Sequence, residues 1–176
     1  MTSVYLRSLE LSDLERTHRW HNDPEMYKTL IGTFHYVGRA TEEDWLRKKQ
    51  AFSSNEVNLA ICLSAEDQHI GNIYLRNIDW VSRSAEMHIF IGEGEYRSRG
   101  YGQAAVHQLV EYAIKELGLN RLHLLVLADN EAAIRLYKKT GFIIEGRLRK
   151  HAFKGGEFKD VLFMGLCSDD LTGGHS

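Results

Sequence analysis

Hydrophobic and polar positions alternate in distinct ways along the 176-residue chain, and this pattern predicts its elements. Short apolar or alternating runs predict strands at Val4–Leu9, Val57–Leu63, His69–Asp79, Ser84–Gly92, Arg121–Leu127, Phe142–Phe153 and Phe158–Leu166. Capping signals and apolar residues three or four positions apart predict helices at Ser12–His21, Pro24–Leu30, Thr41–Phe52, Gly100–Leu117 and Asn130–Thr140. The order predicts one mixed α/β domain at residues 1–167 and a flexible C-terminal tail at residues 168–176.

The predicted strand Ser84–Gly92 carries a carboxylate among apolar neighbours. Its alternation puts two sets of side chains on opposite faces: Met87, Ile89 and Ile91 on one, and Glu86, His88 and Phe90 on the other. A carboxylate on a central strand is unfavourable unless it faces a cleft or a charged partner. Glu86 is therefore a candidate catalytic residue, and a structural ion pair with Arg83 or another basic neighbour is the alternative.

Composition and charge narrow the class of partner. The formal net charge is -2 and the chain has no long basic run, which argues against nucleic acid as a partner. No apolar stretch approaches membrane-spanning length and the N-terminus lacks a signal-peptide core, so we expect a cytoplasmic protein without a membrane partner. His18 and His21 are three positions apart on a predicted helix, but no third ligand is near them, and we expect no metal site.

The segment Tyr96–Ala105 leaves a strand and opens the longest predicted helix. Gly100 and Gly102 allow the backbone to approach a ligand, and the free N–H groups of the first helical turn favour an anion there. Arg97 and Arg99 add guanidinium donors that suit phosphate. The pattern indicates a pyrophosphate site, although a tight strand-to-helix turn alone would also explain the two glycines.

A second segment, Asn130–Phe142, follows the apolar strand Arg121–Leu127 directly. Together the two segments resemble the GNAT superfamily of N-acetyltransferases. The coenzyme-A loop of that family, Arg/Gln-x-x-Gly-x-Gly/Ala, is matched by Arg97, Gly100 and Gly102. Its second motif, Asn-x-x-Ala-x-x-x-Tyr-x-x-x-Gly-Phe, is matched by Asn130, Ala133, Tyr137, Gly141 and Phe142. The resemblance extends from about Leu6 to Met164.

The resemblance implies a GNAT fold, in which two parallel strands of a mixed central sheet splay apart between flanking helices and acetyl-CoA occupies the gap. By this match the splayed strands are Ser84–Gly92 and Arg121–Leu127. The residues expected to bind the cofactor are Ile89, Phe90, Ile91, Arg97, Ser98, Arg99, Gly100, Tyr101, Gly102, Gln103, Asn130 and Ala133. For Asn130, a helix cap is an equally good explanation.

The resemblance also implies direct attack of a primary amine on the thioester in a ternary complex. Tyr137 takes the family's role of general acid toward the departing thiolate, and a core aromatic residue is the alternative. Glu86 is the candidate general base, through water, or else the group that holds the ammonium. His88 shares its face as a substrate contact and reserve base, and Asn22 is a further substrate residue. A backbone N–H of the strand would stabilise the oxyanion.

The sequence constrains the identity of the acceptor amine less than that of the cofactor. The Asn22-Asp23-Pro24 segment and the Glu145–Leu148 segment resemble ribosomal-protein N-terminal, spermidine and nucleotide-linked amino-sugar acetyltransferases, and most of all the amino-sugar group. The segment Thr33–Arg39 has no carboxylate, which argues against a polyamine. We therefore expect an amino sugar, with a protein N-terminus and then a polyamine or another small amine as alternatives. An acyl-CoA-binding module is the non-enzymatic alternative, and association into a homodimer is compatible with the sequence.

Overall fold

A seven-stranded sheet runs through the protein in the order β1-β2-β3-β4-β5-β7-β6. The computed structural model describes residues 3–171. The strands are β1 (Val4–Ser8), β2 (Val57–Leu63), β3 (His69–Asp79), β4 (Ser84–Ile91), β5 (Arg121–Leu127), β6 (Ile143–Lys154) and β7 (Glu157–Cys167). Every predicted strand is confirmed, and the sheet is mixed because β4 and β5 are parallel while the other neighbours are antiparallel.

The helices are α1 (Leu14–His21), α2 (Pro24–Tyr27), α3 (Arg39–Gln50), α4 (Tyr101–Lys115), α5 (Glu131–Lys139) and α6 (Ser168–Leu171). The prediction that the second helix reaches Leu30 is wrong. The Tyr27 carbonyl accepts a hydrogen bond from the ammonium of Lys154 at 3.1 Å, and the Thr29 carbonyl accepts one from the Asn130 side chain at 3.2 Å. These contacts hold the chain after Tyr27 outside a helix.

The start of the first helical segment also differs from the prediction. A 3₁₀ turn at Leu11–Asp13 precedes α1, and the side chain of Asp13, not that of Ser12, accepts the hydrogen bond of the Glu10 backbone N–H at 2.9 Å. The third helix begins at Arg39, two residues before the predicted Thr41.

The flexible tail at residues 168–176 stays a prediction, and the first four of these residues are helical. Residues Ser168–Leu171 form α6, where the Ser168 N–H donates to the Asn120 carbonyl at 2.8 Å and Asp170 accepts from the Cys167 N–H at 2.7 Å. The rest of that prediction, residues 172–176, lies outside the described residues.

The two faces of the sheet are covered by different helices. On one face, α4 contributes Val106, Leu109 and Val110 to the main core, where they join strand residues such as Ile73 and Leu124. The other face of β2 and β3 packs against Leu14 of α1 and Leu46 of α3 through Ala60, Cys62 and Tyr74. The alternation of side chains along each strand therefore divides the domain into two apolar layers.

The parallel pair β4–β5 is short. It contains three residue pairs, Ser84 with Arg121, Ala85 with Leu122 and Glu86 with His123. Beyond this point β4 remains paired with β3 as far as Ile91, and β5 remains paired with β7 as far as Leu127. The sheet therefore opens between β4 and β5, and the splay expected from the sequence is confirmed.

A buried ionic cluster fixes the first helical segment against the sheet. Asp13, which is 2% exposed, accepts two hydrogen bonds from the Arg7 guanidinium at 2.8 and 2.9 Å. Its Oδ1 lies 3.1 Å from Nδ1 of His69, whose ring contacts Trp20 edge-on. Burial alone would raise the pKa of Asp13, but the hydrogen bonds from Arg7 and His69 and from the Glu10 backbone outweigh it, so the pKa lies below its ordinary value.

Replacement of Asp13 tests this cluster. Asp13→Asn should lower the free energy of unfolding at pH 7 by roughly 3 kcal/mol, because Arg7 loses its charged partner in a partly buried position. A carboxyl group whose pKa is lowered by folding stabilises the protein above its unfolded pKa of about 3.9 and less as the pH falls below it. The deficit measured by urea unfolding should therefore shrink in acid.

The control is Glu15→Gln, which removes the ion pair of Glu15 with Arg39, both of them largely exposed. This variant should leave the free energy of unfolding close to that of the wild type. Equal losses in the two variants, or a deficit of Asp13→Asn that does not change with pH, would contradict a stabilising role for the buried cluster.

Candidate active site

The gap between β4 and β5 exposes backbone hydrogen-bonding groups of β4. The Gly92 N–H donates to the Ile70 carbonyl of β3 at 2.8 Å, and the direction of these groups alternates along a strand. The N–H groups of Ile89 and Ile91 therefore point away from β3 and into the gap, where β5 no longer pairs with β4. Unpaired, inward-facing backbone groups suit an extended amide-containing ligand arm such as pantetheine.

The loop before α4 has the backbone that a phosphate cradle needs. Ser98 and Gly100 both have positive φ, 60° and 87°, and α4 begins immediately afterwards at Tyr101. A Cβ atom on Gly102 would lie 3.1 Å from the Cδ1 atom of Leu136 in α5, so the glycine allows α4 and α5 to approach each other closely. The first-turn N–H groups of α4 lie beside the end of the gap and favour an anion.

Arg97 holds this loop in place, in addition to its expected role of binding phosphate. Its Nε donates to the Ile91 carbonyl at 2.9 Å and its Nη2 donates to the Gly92 carbonyl at 3.0 Å. The guanidinium therefore ties the loop to the end of β4 and leaves its other N–H groups for a phosphate.

The second motif lies on α5, along the other side of the gap. The Asn130 side chain accepts from the Ala133 N–H at 3.2 Å as the helix cap and donates to the Thr29 carbonyl at 3.2 Å. The alternative explanation of Asn130 as a cap is thus realised. Tyr137 is 8% exposed, its ring packs against Phe142, and burial raises its pKa to about 12.

These elements enclose one cavity of about 1120 Å³. Of the site residues predicted from the sequence, those on its wall are Glu86, His88, Ile89, Phe90, Ile91, Arg97, Ser98, Gly100, Gly102, Gln103, Asn130, Ala133 and Tyr137. Arg99 of the loop and Tyr101, the first residue of α4, do not line the cavity, and the ring of Tyr101 packs on that of Tyr96. The cavity therefore joins both motifs to the polar face of β4.

Asn22 is placed away from this wall. Its side chain donates to the carbonyls of His18 and Val37 at 2.9 Å and accepts from the Val37 N–H at 3.0 Å. The amide thus closes the segment between α1 and α3, whose residues Thr29–Gly32 and Val37 line the cavity. The geometry gives Asn22 a role in shaping the site and no contact with its interior.

Glu86 and His88 form a pair on the cavity wall. Nε2 of His88 lies 3.0 Å from Oε1 of Glu86, and the other carboxylate oxygen accepts from the Asn77 side chain at 3.2 Å. Burial lowers the pKa of His88, with Arg76 and His123 acting in the same direction and Glu86 opposing them. The imidazole is therefore neutral near pH 7 and can accept a proton.

Several residues at the acceptor end of the cavity were not predicted from the sequence. Glu42 is 1% exposed and both its carboxylate oxygens lie within 2.9 Å of Nδ1 of His21. Both line the cavity with Trp45, Glu25 and Arg76. Sequence analysis argued against a polyamine because the segment Thr33–Arg39 has no carboxylate. Glu25 and Glu42 supply carboxylates from outside that segment, and the reason against a polyamine no longer holds. Only the packing of α1–α3 on the sheet, which no local pattern encodes, brings them there.

Between residues 3 and 171, no group of three or more His, Cys, Asp or Glu side chains is arranged to hold a metal ion. Within the same residues, no helix has the length and apolar character needed to cross a membrane.

Relatives of the chain share this architecture. An L-amino acid N-acetyltransferase, AaaT of Escherichia coli (strain K12), is 27% identical over 93% of this chain and 98% of its own. A putative ribosomal N-acetyltransferase, YdaF of Bacillus subtilis (strain 168), is 29% identical over 74% of this chain and 68% of its own. A crystal structure of spermidine N-acetyltransferase from Vibrio cholerae in complex with CoA and spermine superposes with a TM-score of 0.88 at 25% identity, covering 98% of this chain and 99% of that chain.

The family model described as the acetyltransferase (GNAT) domain matches residues 3–143, which contain the splayed strands, the loop before α4 and the Asn130–Phe142 motif. The resemblance inferred from the sequence is confirmed. The chain belongs to the GNAT family and is an acetyl-CoA-dependent N-acetyltransferase.

Proposed function

We propose that this enzyme acetylates the primary amine of a small acceptor by direct attack in a ternary complex. One observation carries the proposal: the His88–Glu86 pair and the Tyr137 side chain line the same cavity, at the point where β4 and β5 separate. Base, acid and free backbone donors then face one space that a thioester can occupy.

His88 acts as the general base in this proposal, and Glu86 positions it. The short contact places the Nε2–H of His88 against Glu86, which leaves Nδ1 as the acceptor for the proton of the attacking amine. This assignment exchanges the roles that sequence analysis gave the two residues. It follows from their contact and from the lowered pKa of His88.

Other groups of the chain act on the thioester carbonyl and on the leaving group. The N–H of Ile89 or Ile91 stabilises the negative charge that develops on the thioester oxygen. Tyr137 donates its proton to the departing sulfur, and with a pKa of about 12 the phenol is protonated throughout the working range. Burial raises the pKa of a thiol as it raises that of the phenol, so the proton still passes between groups of similar acidity.

The acceptor class rests on the cavity and on the relatives. Acetylation of an amino acid is supported by the likeness to AaaT, and acetylation of a protein N-terminus, the second candidate, by the likeness to YdaF. None of the three relatives reported above is named for an amino-sugar acceptor, so the preference for an amino sugar rests on the sequence segments alone. Association into a homodimer stays a prediction.

The leaving-group role is tested by Tyr137→Phe, which keeps the packed ring and removes the proton. Turnover should fall by about 10²–10⁴-fold while acetyl-CoA affinity stays within a few-fold, because the hydroxyl acts only as the C–S bond breaks. Free thiol release with a panel of amines gives turnover, and calorimetry gives affinity. Tyr112→Phe, on the outer side of α4, is the control and should behave as wild type. Wild-type turnover in Tyr137→Phe would rule out this acid.

The base assignment is tested by the pH dependence of kcat/KM. An NMR titration of the His88 ring distinguishes the ionisation of His88 from that of the acceptor amine. Glu86 raises the pKa of His88, so Glu86→Gln should lower that pKa further and move the acid limb due to His88 to lower pH, with a reduced plateau. His88→Gln should abolish that limb and leave a weak rate that rises only as free amine accumulates.

The opposite pattern would restore the interpretation made from sequence. If His88→Gln keeps the wild-type profile while Glu86→Gln loses activity at every pH, Glu86 contacts the amine directly and His88 does not act as the base.

A further inference from the structure

Two buried hydrogen-bond donors on the cavity wall have no partner. Among residues 3–171, the Nε of Arg76 and the hydroxyl of Tyr74 are buried polar atoms without a hydrogen bond, and both residues line the cavity. Buried donors in native proteins are almost always satisfied, and an orphaned pair at a binding site indicates a group that the ligand supplies. The missing group must be a hydrogen-bond acceptor, because Nε–H of arginine can only donate.

The register of the sheet puts these donors beside the reactive pair. Tyr74 is opposite His88 and Arg76 is opposite Glu86 in the β3–β4 ladder, so the four side chains share one face. The guanidinium carbon of Arg76 lies 5.0 Å from the centre of the Tyr74 ring, which directs the side chain along β3 toward His88. Its charge reaches His88, whose pKa it helps to lower.

The guanidinium of Arg76 acts on Glu56 only at a distance. Within the described part of the chain Arg76 forms no ion pair: Glu86 is engaged by His88 and Asn77, and Glu56 is paired with Lys49 at 2.6 Å. The Nε of Arg76 is buried while the rest of the side chain is partly exposed, so a ligand that fills the cavity removes water from this charge and must bring the opposite charge. Guanidinium groups bind planar carboxylates and phosphates through paired hydrogen bonds.

We infer that Arg76 and Tyr74 form an anion subsite and that the acceptor carries a carboxylate or a phosphate close to its reactive amine. The inference rests on the proposed function and narrows its substrate class. An α-amino acid satisfies it with its carboxylate and a nucleotide-linked amino sugar with its phosphate, whereas spermidine has no group for this subsite.

Matched acceptors test the subsite. Thiol release gives kcat/KM for an α-amino acid and its amide, for a nucleotide-linked amino sugar and the free amino sugar, and for spermidine. The wild-type enzyme should prefer the anionic member of one pair by about 10- to 150-fold, the worth of a hydrogen-bonded charged group. Arg76→Gln should reduce that preference to near unity when both proteins are compared at alkaline pH, where the loss of the Arg76 charge does not change the protonation of His88. The pair that shows the preference identifies the source of the anion.

Two controls separate recognition from folding. Arg47→Gln removes the same charge from the surface of α3, where Arg47 pairs with Glu43, and should keep the preference. Tyr74→Phe removes only the orphaned hydroxyl and should weaken the preference several-fold. A wild-type preference for the neutral members or for spermidine, or an equal loss on all acceptors in a folded Arg76→Gln, would overturn the inference.

A binding readout keeps the inference independent of turnover. With CoA present, an N-acetylamino acid or a nucleotide-linked N-acetylamino sugar should raise the Tm of the wild-type protein more than its neutral counterpart, and Arg76→Gln should lose the difference. If no amine releases thiol while this difference holds, the proposed function fails and the anion subsite stands. If neither anionic product outperforms its neutral counterpart, the subsite is refuted.

Discussion

The site depends on the separation of β4 from β5 after three residue pairs. Because β4 is paired with β3 and β5 is paired with β7, each splayed strand keeps one partner, and only the inner edges lose their hydrogen bonds. Unpaired inner edges would be unfavourable in a closed sheet, so the gap requires a ligand or water to satisfy them. Tyr137 of α5 lines the same cavity as Glu86 and His88.

Electrostatics organise the cavity as much as shape does. Carboxylates on its wall, such as Glu42 and Glu86, are each engaged by a histidine, whereas the guanidinium of Arg76 forms no ion pair within residues 3–171. Burial lowers the pKa of His88, and the charge of Arg76 acts in the same direction. The buried Asp13 cluster, on the same face of the sheet, shows the opposite arrangement, in which the chain satisfies a charge completely and gains stability.

The sequence predicted the strands, the order of the elements and the cofactor side of the site, because those features are local. Gly100, Gly102 and Tyr137 lie in short motifs whose spacing can be recognised without knowledge of the tertiary structure. The acceptor side was harder to predict, since Arg76 meets its neighbours through the register of two strands. Asn22 was assigned to substrate because its segment resembles a motif, yet its amide is used up by the backbone near Val37.

The central claim is that the open edge of β4 receives the cofactor, and amide hydrogen exchange measured by NMR tests it directly. Without acetyl-CoA, the amides of Ile89 and Ile91 should exchange faster than that of Phe90, which is bonded to β3. Addition of acetyl-CoA should slow exchange at Ile89 or Ile91 and leave Phe90 unchanged. Binding of acetyl-CoA without any change at Ile89 and Ile91 would contradict the account.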